Sequence, residues 1–198
     1  LFKEHDRLVM VGGSGMYIDA LCNGLDDFPP ADLQLRNSLM ERLANEGIEA
    51  LRNELKILDR ASYDTIDIAN PQRVVRALEV TLQTGRKFSD WKSAPKKVRP
   101  FAIRKLGINR NREELYGRIN CRVDMMMEQG LLREVEGLVE YKNLPALKTV
   151  GYREIFDYMD GRHYLETAVE LIKRNSRHYA KKQLTYWGRD KEIEWMMF

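Results

Sequence analysis

A glycine-rich bend near the start of the chain is the first feature with a possible chemical role. Residues 9–17 read VMVGGSGMY, so an apolar run stops at glycine and serine before a segment that predicts a helix. Exposed N–H groups and the positive end of a helix dipole suit such a junction to phosphate or pyrophosphate. Ser14 would add a hydroxyl to the amides of Gly12, Gly13 and Gly15. A turn that only connects a strand to a packed helix explains the residues equally well, because neither GK[ST] nor GxGxxG is present.

A pair of arginines is the second candidate. Arg118 and Arg122 are four residues apart in a segment that predicts a helix, so their guanidinium groups share one side of it. Two guanidinium groups together suit a diphosphate. The alternative is a solvated face on which they pair with Glu114 or Asp124, and taken singly the arginines favour that alternative.

The C-terminal stretch carries the most concentrated charge. Residues 171–189 hold six lysines and arginines and no acidic residue, although the net charge of the chain is only +3. Helical spacing predicts one basic stripe, a second basic row beside it, and interleaved aromatic rings. The stripe is Lys173, Arg177 and Lys181, the second row is Arg174, His178 and Lys182, and the rings are Tyr179, Tyr186 and Trp187. Charge with stacking rings favours contact with a nucleic-acid backbone, and a solvated basic face is the alternative.

Composition limits the class of protein. At 198 residues and 43% hydrophobic side chains, the chain is long enough to bury a core as one domain or as one domain with a small insert. Its apolar runs are too short for a membrane span, and its first residues do not resemble a secretory signal. Cys22 and Cys121 lie far apart and lack metal-ligand spacing. We therefore expect a cytoplasmic protein with no membrane contact and no metal ligands of its own.

The elements that would position these residues are mostly helical. Strands are predicted at residues 7–11, 101–109 and 192–198, the first of them buried and the last at a sheet edge. Helices are predicted between capping and stop residues, at residues 16–23, 33–46, 48–58, 71–84, 112–129, 131–142, 150–159 and 164–186. Residues 92–100 predict a basic, proline-containing loop. The strand–loop–helix opening favours an α/β core with a parallel sheet.

Six ordered blocks of the sequence resemble one family, the tRNA dimethylallyltransferases, also called tRNA isopentenyltransferases. The blocks are VGGSGMYIDAL, PPADLQLR, NPQRVVRALEV, LYGRINCRVDMMMEQGLLREV, TVGYREIFDYMDG and IKRNSRHYAKKQLTYWGRDKEIEWM. The resemblance implies a partial core like that of P-loop NTPases, residues 1–30 and 67–198, with a helical insertion at residues 31–66. It also implies transfer of a dimethylallyl group from dimethylallyl diphosphate to the exocyclic amine of the adenine 3′ to the anticodon. The Mg²⁺ that this reaction uses would be bound mainly by the diphosphate and by an N-terminal part missing from this sequence.

The resemblance also implies roles for individual residues. Ser14 lies where the family usually has a threonine whose hydroxyl assists the departing pyrophosphate, and serine keeps that hydroxyl. Gly12, Gly13, Gly15, Arg118 and Arg122 would lie on the pyrophosphate side. The implied tRNA contacts are Arg36, Gln72, Arg73, Arg76, Lys148, Gly151, Tyr152, Arg153, Arg177, Lys181, Lys182, Gln183, Thr185 and Tyr186.

One departure from the family pattern has functional consequences. The family's GPTxSGKT loop and its aspartate base are not found in these 198 residues, which implies that about a third of a complete enzyme is missing. We therefore expect the chain alone to be inactive, and its uncovered sheet to favour association where the complete enzyme is a monomer. The alternatives are an enzyme that prenylates free adenine nucleotides and a non-catalytic RNA-binding helical module.

Overall fold

The computed structural model describes residues 2–92 and 98–198. The chain forms two compact units, one made of Leu1–Ile18 with Phe101–Phe198 and the other of Asp19–Pro100. The helices are α1 Gly15–Asn23, α2 Leu33–Glu46, α3 Ile48–Leu58, α4 Arg60–Thr65, α5 Pro71–Thr84, α6 Phe88–Lys92, α7 Arg112–Glu128, α8 Leu131–Glu136, α9 Tyr152–Met159 and α10 Leu165–Trp187. The strands are β1 Lys105–Asn109 and β2 Ile193–Met197, and short 3₁₀ helices lie at Val139–Tyr141 and Pro145–Leu147.

Side-chain caps and glycines set the helix ends in the Asp19–Pro100 unit. The Asp32 carboxylate accepts from the N–H groups of Gln34 and Leu35, at 3.0 and 3.1 Å, and begins α2. Asn70 caps α5 in the same way with Pro71 behind it, and Gly85 ends that helix in the left-handed region at φ +67°. These starts and stops confirm the predicted helix boundaries.

The core of this unit forms where α5 packs on α2 and α3. Leu39, Leu51, Leu55, Val74 and Leu78 are all fully or almost fully buried there. The compact unit therefore includes α5 and extends on both sides of residues 31–66. The division into a core and an insertion with those bounds stays a prediction.

A buried carboxylate connects three elements of the same unit. Asp59 lies between α3 and α4 and is fully buried. It accepts from the Ser62 N–H and hydroxyl at 3.0 and 2.5 Å, and from the Ser89 N–H and hydroxyl of α6, both at 2.8 Å. Burial acts to raise the pKa of Asp59, but these hydrogen bonds outweigh it, so the pKa is lowered. Asp59 therefore stays ionised and joins α6 to the turn before α4.

The other unit has its own core and a small parallel sheet. Val135, Ile155 and Ile172 are buried where α7 packs on α8 and α10 and where α9 packs on the same two helices. β1 and β2 pair in parallel, with Lys105 opposite Ile193 and Asn109 opposite Met197. The predicted class, a helix-rich α/β fold with a parallel sheet, is confirmed, and so is the C-terminal strand.

Three predicted elements are wrong in whole or in part. Residues 7–11 form no strand, and Val9 and Val11 are 89% and 90% exposed. The physical reason is pairing, because β1 and β2 pair only with each other within residues 2–92 and 98–198. The strand predicted at 101–109 begins only at Lys105, and the helix predicted at 131–142 ends at Glu136.

Two further predictions concern the loop at residues 92–100 and membrane-spanning helices. Of the basic loop predicted at 92–100, residues 93–97 lie outside the described residues. Within the described part, no helix is both long and apolar enough to cross a membrane.

Candidate anion-binding turn and nucleic-acid interface

The glycine turn packs directly against α10. A Cβ at Gly13 would lie 2.1 Å from Nε2 of Gln183, and a Cβ at Gly15 would lie 2.2 Å from Cε1 of Tyr186. Neither glycine has a positive φ, so close approach to α10 is what restricts a side chain here, strictly at Gly15 and less so at Gly13, where Gln183 is flexible. The structure thus brings the predicted pyrophosphate turn together with two predicted tRNA contacts.

The turn presents unpaired donors. Ile18 N–H donates to the carbonyl of Ser14 at 3.2 Å, which is the first hydrogen bond of α1. The amides of the preceding three residues, 15–17, and the Ser14 hydroxyl donate to no other residue that the structure describes. Three amides at a helix N-terminus with one hydroxyl are the donor set that an oxyanion requires.

Tyr186 is held by several neighbours. Its ring meets Trp187 edge to face, with centroids 5.0 Å apart, and the Arg189 guanidinium lies 4.5 Å from the ring centroid. Arg189 also donates through Nε to the Tyr186 carbonyl at 3.1 Å. Because Gly15 packs directly against the same ring, Tyr186 holds the glycine turn on α10.

Two polar contacts join α7 to α10 and engage residues of the predicted basic stripe. Lys173 Nζ lies 2.8 Å from Asp124 Oδ1, and Arg177 Nη1 donates to Asn120 Oδ1 at 2.5 Å. Hydrogen bonds to Asp124 and then to Glu170 raise the pKa of Lys173. Lys173 and Arg177 of the predicted stripe therefore contact α7, and Lys173 is neutralised by its carboxylate partners. Lys181 is exposed and forms no ion pair with a described residue. The role of the stripe in RNA binding stays a prediction.

The second row of α10 is exposed along its whole length. Arg174, His178 and Lys182 are exposed at i, i+4 and i+8, and none of them pairs with a described residue. Thr185 beside them is exposed and donates to the Lys181 carbonyl at 3.0 Å. Tyr179 adds a ring that is 51% exposed. Positive charge and an exposed ring are thus available to a phosphate backbone on this face.

Arg118 and Arg122 are exposed on α7. The expected carboxylate partners are engaged elsewhere, Glu114 by Arg110 at 2.6 Å and Asp124 by Lys173. Within residues 2–92 and 98–198, neither guanidinium forms a hydrogen bond or ion pair, so the predicted alternative of a paired face is not present. Each arginine precedes Asn120 or Asp124 by two positions, about 200° around the helix. They therefore point away from α10, and their cooperation with the glycine turn stays a prediction.

Two of the predicted tRNA-binding arginines share a buried partner. Arg36 Nη2 and Arg76 Nη1 lie 2.7 and 3.1 Å from the two carboxylate oxygens of Glu79, whose side chain is fully buried. Glu79 was not predicted, because nothing in the sequence distinguishes it from the other polar residues of α5. By contrast Gln72 and Arg73, at the start of α5, are exposed. Any RNA contact by Arg36 or Arg76 must come from guanidinium groups that Glu79 already orients.

A third buried carboxylate, in the first turn of α9, organises the start of that helix. Glu154 is 2% exposed and accepts from the Gly151 N–H at 2.8 Å, from Arg153 Nη2 at 2.8 Å and from Asn175 Nδ2 of α10 at 2.7 Å. Burial raises the pKa of Glu154, but these hydrogen bonds outweigh burial and lower it. Glutamate three residues after a helix cap is a sequence signal that would have identified this residue.

The other predicted tRNA contacts near the start of α9 differ in burial and in hydrogen bonding. Gly151 is buried at φ +102°, a conformation that favours glycine. The Tyr152 hydroxyl donates to the Glu134 carboxylate, and Lys148 is exposed. Glu154 thus fixes the start of α9 on α10, where Arg177 and the exposed row also lie.

No metal site is evident in the part of the chain that the structure describes. No three histidine, cysteine, aspartate or glutamate side chains there come together as a ligand group. The donors that do face outward, N–H groups and cations, suit an anion and not Mg²⁺. Which groups hold the expected Mg²⁺ stays a prediction.

The fold and site define a helix-rich α/β protein with an open oxyanion-type turn seated on a basic helix. Comparison with known proteins agrees with that class, since residues 1–190 match the family described as IPP transferase. The chain belongs to this family, and the resemblance of the six sequence blocks is confirmed. It is 49% identical over 195 residues to tRNA dimethylallyltransferase 1 of Bacteroides thetaiotaomicron, covering 98% of this chain and 63% of that protein.

Solved structures show the same relationship. The full-length tRNA isopentenylpyrophosphate transferase of Bacillus halodurans is 34% identical with a TM-score of 0.55, covering 92% of this chain and 57% of that one. A eukaryotic dimethylallyltransferase, described as acting on tRNA, is 25% identical with a TM-score of 0.75, covering 94% and 50%. The chain thus spans less than two thirds of the length of these relatives.

Proposed function

We propose that this chain forms the RNA-binding part and one wall of the pyrophosphate site of a tRNA dimethylallyltransferase. The reaction would move a dimethylallyl group from its diphosphate to the exocyclic amine of the adenine 3′ to the anticodon. One observation supports this most strongly, namely that Gly13 and Gly15 pack on Gln183 and Tyr186 of the basic helix. A candidate anion-binding turn and a candidate RNA surface thereby belong to one local structure.

The turn would act on the leaving group. The adenine nitrogen forms a bond to the allylic carbon while the carbon–oxygen bond breaks, so the electron pair and negative charge pass to pyrophosphate. The amine also loses one N–H proton, which passes to the aspartate base of the complete enzyme or to water. Unpaired amides of residues 15–17 and the Ser14 hydroxyl offer donors to that charge. Such donors lower the barrier because the charge they stabilise is larger in the transition state than in the diphosphate ester.

The exposed row of α10 would act on the RNA. An adenine inside a stacked anticodon loop must leave the stack to be alkylated, at a cost of a few kcal/mol. Contacts of Arg174, His178 and Lys182 with the phosphate backbone, and stacking on Tyr179, would offset that cost. The buried Glu154 would support them by fixing Arg153 and Asn175.

We further propose that the 198-residue chain binds RNA without forming product. Its sequence contains neither GPTxSGKT nor the aspartate base of the family pattern, and its described residues include no group of three metal-ligating side chains. An adenine amine is a weak nucleophile, and general-base catalysis alone typically contributes about 10²–10⁴-fold. No step of the reaction is therefore assigned to a base or metal on this chain.

The RNA surface is tested by titrating the 198-residue chain with an anticodon stem-loop at several salt concentrations. Replacing both Arg174 and Lys182 with glutamine should weaken binding about tenfold. The slope of log K against log salt concentration should also fall by the equivalent of about one to two phosphate contacts. Lys173→Gln is the matched control, because Asp124 and Glu170 already neutralise Lys173. Binding that is equal in the double variant and the wild type would contradict the assignment, and dimethylallyl transfer by the chain alone would contradict its inactivity.

A further inference from the structure

An open cavity of about 250 Å³ lies between α7 and α10, on the side of α10 that faces away from the glycine turn. Its lining consists of Asn109, Arg110, Arg112, Leu115, Tyr116, Lys181 and Leu184. Three of these side chains are cationic and none is acidic. The cavity therefore has the charge of an anion site.

The cations of the cavity differ in whether their charge is balanced. Arg110 Nη1 lies 2.6 Å from Glu114, so this charge is neutralised locally. Arg112 and Lys181 form no ion pair with any residue in 2–92 or 98–198. The Arg112 guanidinium instead lies 5.3 Å from the centroid of the Tyr116 ring, a cation–π arrangement that orients it without cancelling its charge. Two net positive charges thus face the same space.

The backbone adds to this potential. β1 ends at Asn109, so the cavity lies at the carboxyl end of a strand in a parallel sheet, where α/β proteins place their ligands. Asn111 caps α7 there, with its side chain accepting from the Glu113 N–H at 2.9 Å. Asn111 begins a helix of 17 residues, whose dipole is positive at this end.

We infer that this cavity is a second phosphate-binding site, separate from the glycine turn, in which Arg112 and Lys181 bind a phosphate of the RNA strand. The two leucines and the Tyr116 ring would contact the attached ribose or base. A phosphodiester is favoured over a free diphosphate because the cavity opens beside Lys181, one residue from the exposed row that ends at Lys182. This choice of occupant rests on the proposed function, whereas the phosphate chemistry of the cavity does not.

The test compares the 198-residue chain with its Arg112→Gln/Lys181→Gln variant. Each is titrated with an anticodon stem-loop and, separately, with inorganic pyrophosphate. The double variant should bind the stem-loop about tenfold more weakly. Its slope of log K against log salt concentration should be shallower by the equivalent of about one to two phosphate contacts. Arg133→Gln/Lys191→Gln is the matched control, because it removes two exposed cations of the same unit that form no described ion pair, and it should bind like the wild type.

The outcomes separate this site from the proposed function. A loss confined to pyrophosphate would keep the phosphate site and assign it to a free diphosphate. If the wild-type chain bound no RNA, the proposed RNA surface would fail, and the pyrophosphate titration would still decide the site. Unchanged binding of both ligands in the double variant, or an equal loss in the control, would overturn the inference. Thermal unfolding of all three proteins shows whether each variant is folded.

Discussion

Ser14→Ala should lower the turnover of dimethylallyl transfer about 10²-fold, which corresponds to about 2.7 kcal/mol of transition-state stabilisation. The comparison is made in a full-length family member that carries residues 12–15 as they stand here. Affinity for tRNA should change little, since Ser14 belongs to the turn and not to the exposed row of α10. The measurement is single-turnover transfer of labelled dimethylallyl to a stem-loop, together with the dissociation constant of that RNA.

The structure indicates that this substitution can test the reaction without changing the stability of the fold. The Ser14 side chain makes no hydrogen bond to a described residue, so its loss should not destabilise α1. Ser14→Thr is the matched control, because threonine keeps the hydroxyl and should keep most of the turnover. Equal turnover in the alanine variant and the wild type would remove Ser14 from the reaction, and a fall in both variants would indicate a structural effect.

Gly15→Ala should destabilise the fold by about 1–3 kcal/mol, because an added methyl group would overlap the Tyr186 ring. The new Cβ would lie 2.2 Å from Cε1 and 2.5 Å from Cζ of that ring, which Trp187 and Arg189 hold on other sides. The better helix propensity of alanine offsets at most about 1 kcal/mol. Because the turn would move off α10, transfer by a full-length enzyme should fall as well.

The neighbouring glycines provide a graded control for this prediction. At Gly12 a Cβ would meet nothing within 4 Å, so Gly12→Ala should leave the melting temperature unchanged. At Gly13 it would meet the flexible amide end of Gln183, which can rotate away, so the effect should be intermediate. Thermal unfolding of the three variants should therefore rank Gly15 below Gly13 below Gly12. A Gly15→Ala protein as stable as the Gly12→Ala protein would contradict the packing of the turn on α10.

Features fixed by neighbouring residues were predictable from the sequence. Asp32 and the Asn70–Pro71 pair mark helix starts through hydrogen bonds that span two or three residues, so the ends of α2 and α5 follow from local chemistry. Gly85 marks a stop for the same kind of reason. The long basic helix was predicted nearly to its ends, because its periodicity extends over 23 residues.

Features that depend on distant partners were not predictable. Residues 7–11 have strand composition, but a strand also requires a neighbour with which to pair. Periodicity placed Lys173 and Arg177 on one face, yet only the position of α7 decides that this face is covered. The burial of Glu79 and Glu154 likewise depends on which arginines and amides surround them in the fold.

The most direct test of the proposed function is a comparison of acceptors in a full-length family member that carries this sequence. Dimethylallyl diphosphate is supplied with either a tRNA anticodon stem-loop or AMP, and the products are identified by mass spectrometry. We predict that the stem-loop is modified at the adenine 3′ to the anticodon, whereas AMP is left unmodified. Modification of AMP at a rate equal to or above that of the stem-loop would contradict the account.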